Sequence, residues 1–425
     1  MTIGQYFNSL KPTRAEHWIL LSILLYTISN AITGFVSPFI SRLFLYLGCF
    51  IYLFIFITRF KGIPIKGMAS FFYIVLLLDT IALTVHLLFF FDLSTVMTGF
   101  VNHGFISKIS YLFESLPFFP HLLPLCVCCF PSNYQFDLRY FVRMITLVAV
   151  TFVILYPLAF SRMTAINYQD LDDYINGVEA SKYATLGLRV LIPATISLYF
   201  KKYIPNKMWW LFMIAFVCGI ISNAYMGRRG GTATSILYLG LLWFVYTTSN
   251  KGEGKISAFL AGAVMLSAGY MIFSNLSDTF FSYIVERGLD DNRTDRNVDF
   301  MLDVFSGNDW IYGRGWFGQY YDSVYGYRGS IETGYFALIL RGGMLYLIPY
   351  IFILLLTFIN GFFRSNNILC KSFGVMAGMQ LVELYPWGWP TFTFNFFALW
   401  IGVFICNKSY YRKLTDSQIK SKYFD

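Results

Sequence analysis

The chain has 425 residues, of which 57% are hydrophobic and 13% are charged. Soluble domains are about 45–50% apolar and about 25% charged, and many apolar runs here reach the roughly 20 residues that cross a bilayer. A large soluble helical protein is therefore excluded, and the sequence predicts an all-α polytopic integral membrane protein. The formal net charge of +9 is spread over many loops and does not indicate a nucleic-acid partner.

In chain order, the apolar windows predict about twelve transmembrane helices, because an open strand would leave its backbone unsatisfied in lipid. The predicted bounds are 16–36, 41–59, 68–91, 108–130, 140–160, 185–200, 208–226, 232–248, 256–274, 338–360, 372–386 and 391–407. Pro117, Pro120 and Pro124 interrupt the fourth window, and the sixth is short and carries Arg189. Without an internal repeat or a soluble region, residues 1–425 are expected to form one transmembrane domain.

The basic residues predict the orientation. With both termini in the cytoplasm, 19 of the 32 lysines and arginines fall in short inner segments, as the positive-inside rule requires. Eleven of the other 13 are arginines, against 6 of the inner 19. Arginine presents a planar fork that suits phosphate, whereas lysine is a solvated point charge. The outer face is expected to bind an anion, although chance and the tolerance of arginine at helix ends remain an alternative.

Two outer loops are long, at 161–184 and 275–337, the second lying between the ninth and tenth predicted helices. Long loops in compact proteins are usually functional or disordered. The second loop is rich in Trp, Tyr and Gly, which favours a packed structure with short amphipathic helices resting partly on the membrane.

Within that loop, the pattern predicts a helix from about 293 to 305. Asp299 and Asp303 are four residues apart and share one face, with Arg296 beside them. The apolar residues expected on the membrane surface are Phe300, Met301, Val304 and Phe305. A solvated amphipathic helix is the alternative interpretation.

Four arginines, in three stretches of the chain, are candidates for binding phosphate. The stretch "MGRRGGTATS" places Arg228 and Arg229 before a glycine pair at a helix start, where backbone N–H groups and guanidinium forks could cradle a pyrophosphate; lipid head groups are an equal alternative. Arg189, inside an apolar run, is expected to face a cavity or to reach the outer head groups. Arg341 precedes Gly342 and Gly343 within the tenth predicted helix.

Aromatic and acidic residues complete the predicted site. Trp316, Tyr320 and Tyr321 offer flat faces on which sugar rings stack, with an interfacial aromatic belt as the alternative. Glu332 could act as a general base, or it could simply suit the start of a helix. Acids inside the predicted helices are few, and Asp79 and Glu383 are the clearest. The sequence contains no metal-binding cluster and predicts neither a metal nor another cofactor.

Four stretches carry a resemblance to a known family: "NAYMGRRGG", "NRTDR", "DWIYGRGWFGQYY" and "ETGYFALILRGGMLYLI". Their order and the long outer loop resemble the Wzy-type polymerases of O-antigen and capsular polysaccharide and the related O-antigen ligases. The residues in matching places are Arg228, Arg229, Arg293, Arg296, Gly313, Gly315, Gly334, Gly342 and Gly343. The ligases tend to carry a histidine where this chain has Glu332, which favours a polymerase.

The resemblance implies glycosyl transfer at the periplasmic face of the bacterial inner membrane, as part of lipopolysaccharide or capsule biosynthesis. The donor would be a glycan on undecaprenyl pyrophosphate, and the acceptor a lipid-linked repeat unit. Because the leaving group carries its own phosphates, cationic forks would serve and no metal is needed.

The resemblance also suggests roles for individual residues. Catalytic roles fall to Glu332, Asp299, Arg293 and Arg296; pyrophosphate binding to Arg189, Arg228, Arg229 and Arg341; sugar binding to Trp316, Tyr320 and Tyr321. Besides membrane lipids and the lipid-linked oligosaccharides, a chain-length regulator and a flippase are the implied partners. A ligase that transfers glycan to lipid A–core and a lipid-linked oligosaccharide flippase or exporter remain alternatives.

Overall fold

The structure is a computed structural model that describes residues 11–32, 37–91, 108–109, 119–130, 136–164, 196–225, 229–249, 293–323, 326–329, 331, 333–385 and 394–424. The predicted helix at 256–274 lies outside these residues, as do most of the predicted helix at 185–200 and most of the predicted loop at 161–184. For some helical residues, among them Arg229, Arg293 and Arg296, only the backbone is described.

The described chain is mainly helical. Its α-helices, in chain order, are α1 (Ala15–Ile32), α2 (Pro38–Arg59), α3 (Met68–Val85), α4 (Leu138–Thr164), α5 (Asn206–Tyr225), α6 (Arg229–Ser249), α7 (Arg293–Val304), α8 (Asp309–Tyr312), α9 (Gly334–Phe358), α10 (Ile368–Glu383), α11 (Phe394–Cys406), α12 (Ser409–Lys413) and α13 (Asp416–Tyr423). Single π-helical turns extend α3 over His86–Phe90 and α9 over Ile359–Phe363.

Among the described residues, four helices are long and apolar enough to cross a membrane. They cover Phe39–Arg59, Met68–Phe90, Leu138–Leu158 and Gly334–Phe363. Shorter apolar helices cover Ala15–Ser29, Asn206–Ser222 and Phe396–Cys406. Large apolar side chains are exposed on the faces of α2 and α3 that point away from the helix bundle, such as Phe50 (67% exposed) and Phe71 (63%). These features are those of a helical membrane protein, in which such faces contact lipid.

The fourth predicted helix is a 3-10 helix where it is described, over Phe119–Cys129. Pro124 lies inside it and removes a backbone donor. Tyrosines of the neighbouring helices bond to its carbonyl oxygens: the Tyr52 hydroxyl donates to Leu122 at 2.6 Å, and the Tyr73 hydroxyl donates to Pro124. Hydroxyl groups of the neighbouring helices thus add hydrogen bonds to the backbone of this short helix.

Small residues bring α1 and α2 close together. A Cβ at Gly48 would lie 2.7 Å from the Ser22 carbonyl oxygen, so only glycine permits this crossing. Farther along, the Ser29 hydroxyl donates to the Ser41 carbonyl oxygen at 2.7 Å, and the Ser41 hydroxyl donates to that of Ser29 at 3.0 Å. This combination of small residues and reciprocal hydrogen bonds is typical of helix pairs in membranes.

Aromatic side chains of α3, α9 and α11 pack against one another. Trp400 is fully buried, and its ring meets Tyr73 and Tyr350 edge-on at centroid distances of 6.3 and 6.4 Å. Phe72 stacks on Phe352 at 4.7 Å and joins α3 to α9. This packing fixes α9, the helix onto which the outer loop folds.

One described element is not helical. Strands β1 (Tyr320–Asp322) and β2 (Gly326–Arg328) pair antiparallel, with Tyr321 opposite Tyr327. This hairpin departs from the all-α prediction. The short hairpin depends on support from α7, because a two-stranded sheet is only marginally stable by itself.

Candidate functional site

The candidate site is built on residues 293–331, called the hairpin segment below. It contains α7, α8 and the β1–β2 hairpin, and its described parts are 293–323, 326–329 and 331. The observed bounds of α7, Arg293–Val304, confirm the helix predicted from about 293 to 305. The hairpin segment folds against α3 and α9, so it is part of the packed structure.

The apolar side of α7 points into the protein. Phe300 is fully buried, stacks on Phe336 of α9 at 4.8 Å and meets Tyr320 of β1 at 5.4 Å. Val304 is buried as well, whereas Met301 is 49% exposed. The prediction that this face lies on the membrane surface is therefore wrong for Phe300 and Val304, because the hairpin and α9 offered a closer apolar partner.

Arg314 holds the hairpin segment together. Its Nη1 donates to Asp303 Oδ2 at 2.6 Å and to the Gln319 carbonyl oxygen at 2.8 Å, and its Nε donates to Asp309 Oδ2 at 2.6 Å. One guanidinium thus joins α7, α8 and the approach to β1. With two carboxylates beside it, Arg314 is an internal ion-pair centre and not a free cation for a ligand.

Two aspartates of α7 bind the hairpin. Asp299 Oδ2 accepts hydrogen bonds from the Ser323 amide at 2.9 Å and the Ser323 hydroxyl at 2.7 Å, and Asp303 Oδ2 accepts one from the Tyr321 amide at 2.8 Å. Both carboxylates therefore tie α7 to the hairpin, and the catalytic role of Asp299 stays a prediction.

The Asp303 bonds predict an acid-sensitive hairpin. Burial raises the pKa of the Asp303 carboxyl, but the bonds from Arg314 and the Tyr321 amide outweigh it and hold the pKa below its usual value. A lowered folded-state pKa stabilises the fold above the unfolded pKa of about 4, and the gain is lost as pH falls through the folded value. The protection factors of residues 293–331, in which exchange rates are corrected for their intrinsic pH dependence, should therefore be largest near neutral pH and fall below about pH 4.

The Asp303→Asn variant provides the control for this pH dependence. It should exchange faster than wild type at neutral pH, and the difference should shrink as the solution becomes more acidic. An equal difference at every pH would contradict the assignment to Asp303.

A kink in α9 receives the loop between α8 and β1. Gly343 has φ 63° and ψ −162°, which are not helical values. The Arg314 amide donates to the Leu340 carbonyl oxygen at 2.6 Å, and the Gly315 amide donates to that of Arg341 at 3.0 Å. Amide groups of the loop therefore donate hydrogen bonds to carbonyl oxygens that have lost their helical donors at the kink in α9.

Glycines make this contact possible. A Cβ at Gly343 would lie 2.1 Å from the Ile311 carbonyl oxygen, and a Cβ at Gly313 would lie 2.2 Å from the Arg341 carbonyl oxygen. Gly313 also has a positive φ of 74°. Gly313 and Gly343 were predicted only as positions that match the family. In the structure they are the two sides of one backbone contact.

Arg341, predicted to bind pyrophosphate, lies at this kink and is 7% exposed. Its Nε donates to the Trp316 carbonyl oxygen at 3.0 Å. In this conformation Arg341 holds the loop against α9. Its role towards an anion stays a prediction, and such a ligand would have to reach a buried guanidinium.

Polar residues of α3 lie directly beneath the kink. A Cβ at Gly342 would lie 2.8 Å from Asp79 Oδ2, and the Trp316 Nε1 donates to Thr84 Oγ1 at 3.4 Å. Asp79 Oδ2 is buried and has no hydrogen-bond partner within the described part of the chain. The sequence identified Asp79 as an acid inside a predicted helix, but only the packing of α3 on α9 brings it beneath the hairpin segment.

The three aromatic residues predicted to stack sugars fall into two groups. Trp316 is 3% exposed and Tyr320 is fully buried, so both pack inside the protein, in contrast to the prediction. Tyr321 is 51% exposed and meets Tyr327, which is 72% exposed, at 5.6 Å. The alternation of sides along β1 explains why Tyr320 is buried and Tyr321 is exposed. Tyr327, opposite Tyr321, is a further exposed ring that was not predicted from the sequence.

Two predicted arginines lie at the start of α7. Arg293 and Arg296 occupy its first turns, and the neighbouring Asn297 Oδ1 accepts a hydrogen bond from the Thr333 hydroxyl at 3.1 Å. Thr333 directly precedes α9. The beginning of α7 is thereby tied to the beginning of α9, and both arginines belong to this junction.

The remaining predicted site residues are less well defined. Arg229 begins α6, whereas Arg189, Arg228 and Glu332 lie outside the described residues. The described part of the chain contains no group of three or more potential metal ligands. No protein-family model, curated protein or solved structure matches this chain.

Proposed function

We propose that this protein is a polysaccharide polymerase that joins oligosaccharide repeat units carried on undecaprenyl pyrophosphate. The hydroxyl of one lipid-linked unit attacks the anomeric carbon of the donor glycan, and the lipid pyrophosphate departs with the bonding electrons. The reaction needs cationic groups where negative charge develops on the leaving phosphate. The proposal rests on the family resemblance and on one structural observation.

That observation is the junction between α7 and α9. The Asn297–Thr333 hydrogen bond ties the turn that carries Arg293 and Arg296 to the start of α9. Thr333 directly follows Glu332 in the chain, so the helical turn that carries the two arginines is tied to the residue next to the proposed base, Glu332. A pyrophosphate held by the arginines would leave the sugar that it carries near this acid.

The other assignments follow from this junction. Arg189, Arg228 and Arg229 would supply further cations to the pyrophosphate, and Glu332 would accept the proton of the attacking hydroxyl. Tyr321 and Tyr327 would provide the exposed stacking surface for the glycan. Arg341 and Arg314 would hold the hairpin segment in place.

The proposed setting is the bacterial inner membrane. About twelve helices would cross it, with both termini in the cytoplasm and with the hairpin segment in the periplasm between the ninth and tenth helices. This orientation agrees with the distribution of lysine and arginine in the sequence. Lipid-linked donor and acceptor would reach the junction from the bilayer.

A ligase that transfers glycan to lipid A–core is the second candidate, since its donor chemistry is the same. A gene deletion distinguishes the two: without a polymerase, cells still display a single repeat unit, and without a ligase, they display none. A flippase or exporter explains the folded hairpin segment less well, because its substrate path runs through the helix bundle.

Arginine substitutions test the proposed chemistry. We expect Arg→Ala at 228, 229, 293 or 296 to reduce polymerisation about 100-fold or more, and Arg→Lys to restore it only in part, because an ammonium cannot form the bidentate contact. The measurement is the glycan ladder in a deletion strain that carries each variant. Arg364→Ala is the matched control, since Arg364 is exposed on the segment between α9 and α10.

Protein levels are compared by immunoblot, so that lost activity is not confused with lost protein. A normal ladder from all four alanine variants would contradict the proposed site. Full rescue by lysine at all four positions would contradict bidentate binding.

A further inference from the structure

A cavity of about 800 Å³ opens beside α1 and α2, away from the hairpin segment. Its lining comes from the first residues of α1 and the last turns of α2. The apolar part of the lining includes Trp18 (38% exposed), Phe50 (67%) and Phe54 (54%). Phe50 and Phe54 belong to a helix that is long enough to cross a membrane, so this wall continues the surface that contacts lipid.

One end of the same cavity is basic. Arg14, Arg59 and Lys61 line it, together with the acidic Glu16. Arg14 Nη1 lies 3.5 Å from Glu16 Oε1, so these two charges offset each other. Arg59 and Lys61 therefore give the cavity a net positive end.

Arg59 and Lys61 are exposed, and neither side chain makes a hydrogen bond or ion pair with another described residue. Other basic residues are engaged: Arg139 Nε, for example, donates to the Tyr423 carbonyl oxygen at 3.3 Å. The two cations at the cavity thus keep their donors for a ligand. Each can approach a phosphate oxygen without breaking an internal bond.

The distance between the aromatic wall and the basic end of the cavity fits within the length of a lipid. Phe50 and Arg59 are nine residues apart on α2, or about 13 Å along a helix that rises about 1.5 Å per residue. A head group at the basic end would leave an acyl chain along Phe54 and Phe50, within the apolar layer. A small soluble anion would use only the basic end and leave the aromatic wall uncovered.

We propose that this cavity binds one anionic glycerophospholipid, with its phosphodiester between Arg59 and Lys61 and an acyl chain against Phe50 and Phe54. A negative head group complements the two cations, and Trp18 in the first turn of α1 is of the residue type that is enriched at lipid head groups. A zwitterionic lipid would bring its own cation towards two others. The site is separate from the proposed glycan chemistry, so the two proposals can fail independently.

Native mass spectrometry of the full chain in detergent tests this site. Dioleoyl phosphatidylglycerol and dioleoyl phosphatidylcholine are titrated in parallel, and retained lipids are counted. We expect one tightly held phosphatidylglycerol on the wild type and weak retention of phosphatidylcholine. The Arg59→Gln/Lys61→Gln variant should bind phosphatidylglycerol about 30-fold more weakly, through the loss of two basic contacts.

Two further variants sharpen the result. Lys207→Gln/Lys420→Gln removes two charges from exposed residues outside the cavity and should bind as the wild type does. Phe54→Ala, which shortens the apolar wall without changing charge, should weaken binding about fivefold. Equal binding by wild type and the Arg59/Lys61 variant would overturn the proposal. If inorganic phosphate displaced bound phosphatidylglycerol when the two are present at equal concentration, the lipid assignment would be overturned.

Discussion

A Gly343→Ala variant is expected to lose the contact between the hairpin segment and α9, and with it the glycan ladder. Gly343 has a φ of 63°, a left-handed conformation that costs a residue with a Cβ about 1–2 kcal/mol. The new Cβ would also lie 2.1 Å from the Ile311 carbonyl oxygen, and that atom belongs to backbone that cannot rotate away. Together the two effects should destabilise the docked state by about 3–5 kcal/mol.

Gly326→Ala separates these two effects. Gly326 has a similar φ of 74°, but a Cβ there would meet no atom within 4 Å. This variant should lose only about 1–2 kcal/mol. Limited proteolysis of residues 293–331, thermal unfolding in detergent and the glycan ladder measure the difference. If both alanine variants lose the same stability, the close contact between Gly343 and Ile311 does not hold the hairpin segment against α9.

The second large effect is expected at Arg314. Arg314→Ala removes the shared partner of Asp303 and Asp309 and leaves two neighbouring carboxylates. Breaking a fully buried ion pair costs about 3–5 kcal/mol. Because the Arg314 and Asp303 side chains are 23% and 27% exposed, solvent screening lowers the expected loss to about 1–3 kcal/mol.

Substitutions at the same cluster test this explanation. Arg314→Lys should recover only part of the stability, since one ammonium cannot make the fork of bonds to Asp303 and Asp309. Adding Asp303→Asn to Arg314→Ala should relieve some of the loss by removing a charge, which a double-mutant cycle measures as a coupling. Hydrogen exchange of residues 293–331 gives the free-energy differences. Additive effects of the two substitutions would mean that the ion pair does not stabilise the segment.

If Arg314 acts in this structural way, its loss should lower protection from hydrogen exchange throughout α7 and the hairpin before it affects the transmembrane helices. A phosphate-binding arginine would behave differently: its removal would lower glycan transfer and leave protection of the segment unchanged. The contrast between Arg314 and the proposed Arg293–Arg296 pair is therefore measurable in one set of variants.

Several elements were predictable because their causes are local. The helix at 293–305 follows from the spacing of its acidic and apolar residues, and the apolar runs of α2 and α3 follow from composition alone. Pro124 signalled a break in the fourth apolar window, which the 3-10 helix bears out. The kind of break was not predictable, since the Tyr52 and Tyr73 hydroxyls that bond to this helix come from distant parts of the chain.

The roles of individual side chains depended on partners far away in the chain. Trp316 is suited both to stacking a sugar and to packing in a core, and only the approach of Thr84 from α3 shows that its ring is buried. Arg314 is one of many arginines predicted to lie on the outer side, and nothing local distinguishes it from the others. Its two carboxylate partners, 11 and 5 residues earlier, become neighbours only when α7, α8 and the hairpin fold together.

By itself, the sequence determined that this is a helical membrane protein and that a short amphipathic helix follows residue 292, because hydrophobicity and helical periodicity act over one or two turns. The tertiary structure decided which aromatic rings are exposed, which arginine is internal and why glycines occupy both sides of the α9 kink. Those outcomes depend on close contacts between segments that are distant in the chain, and a Cβ or a charge is acceptable there only if the opposing surface leaves room or supplies a partner.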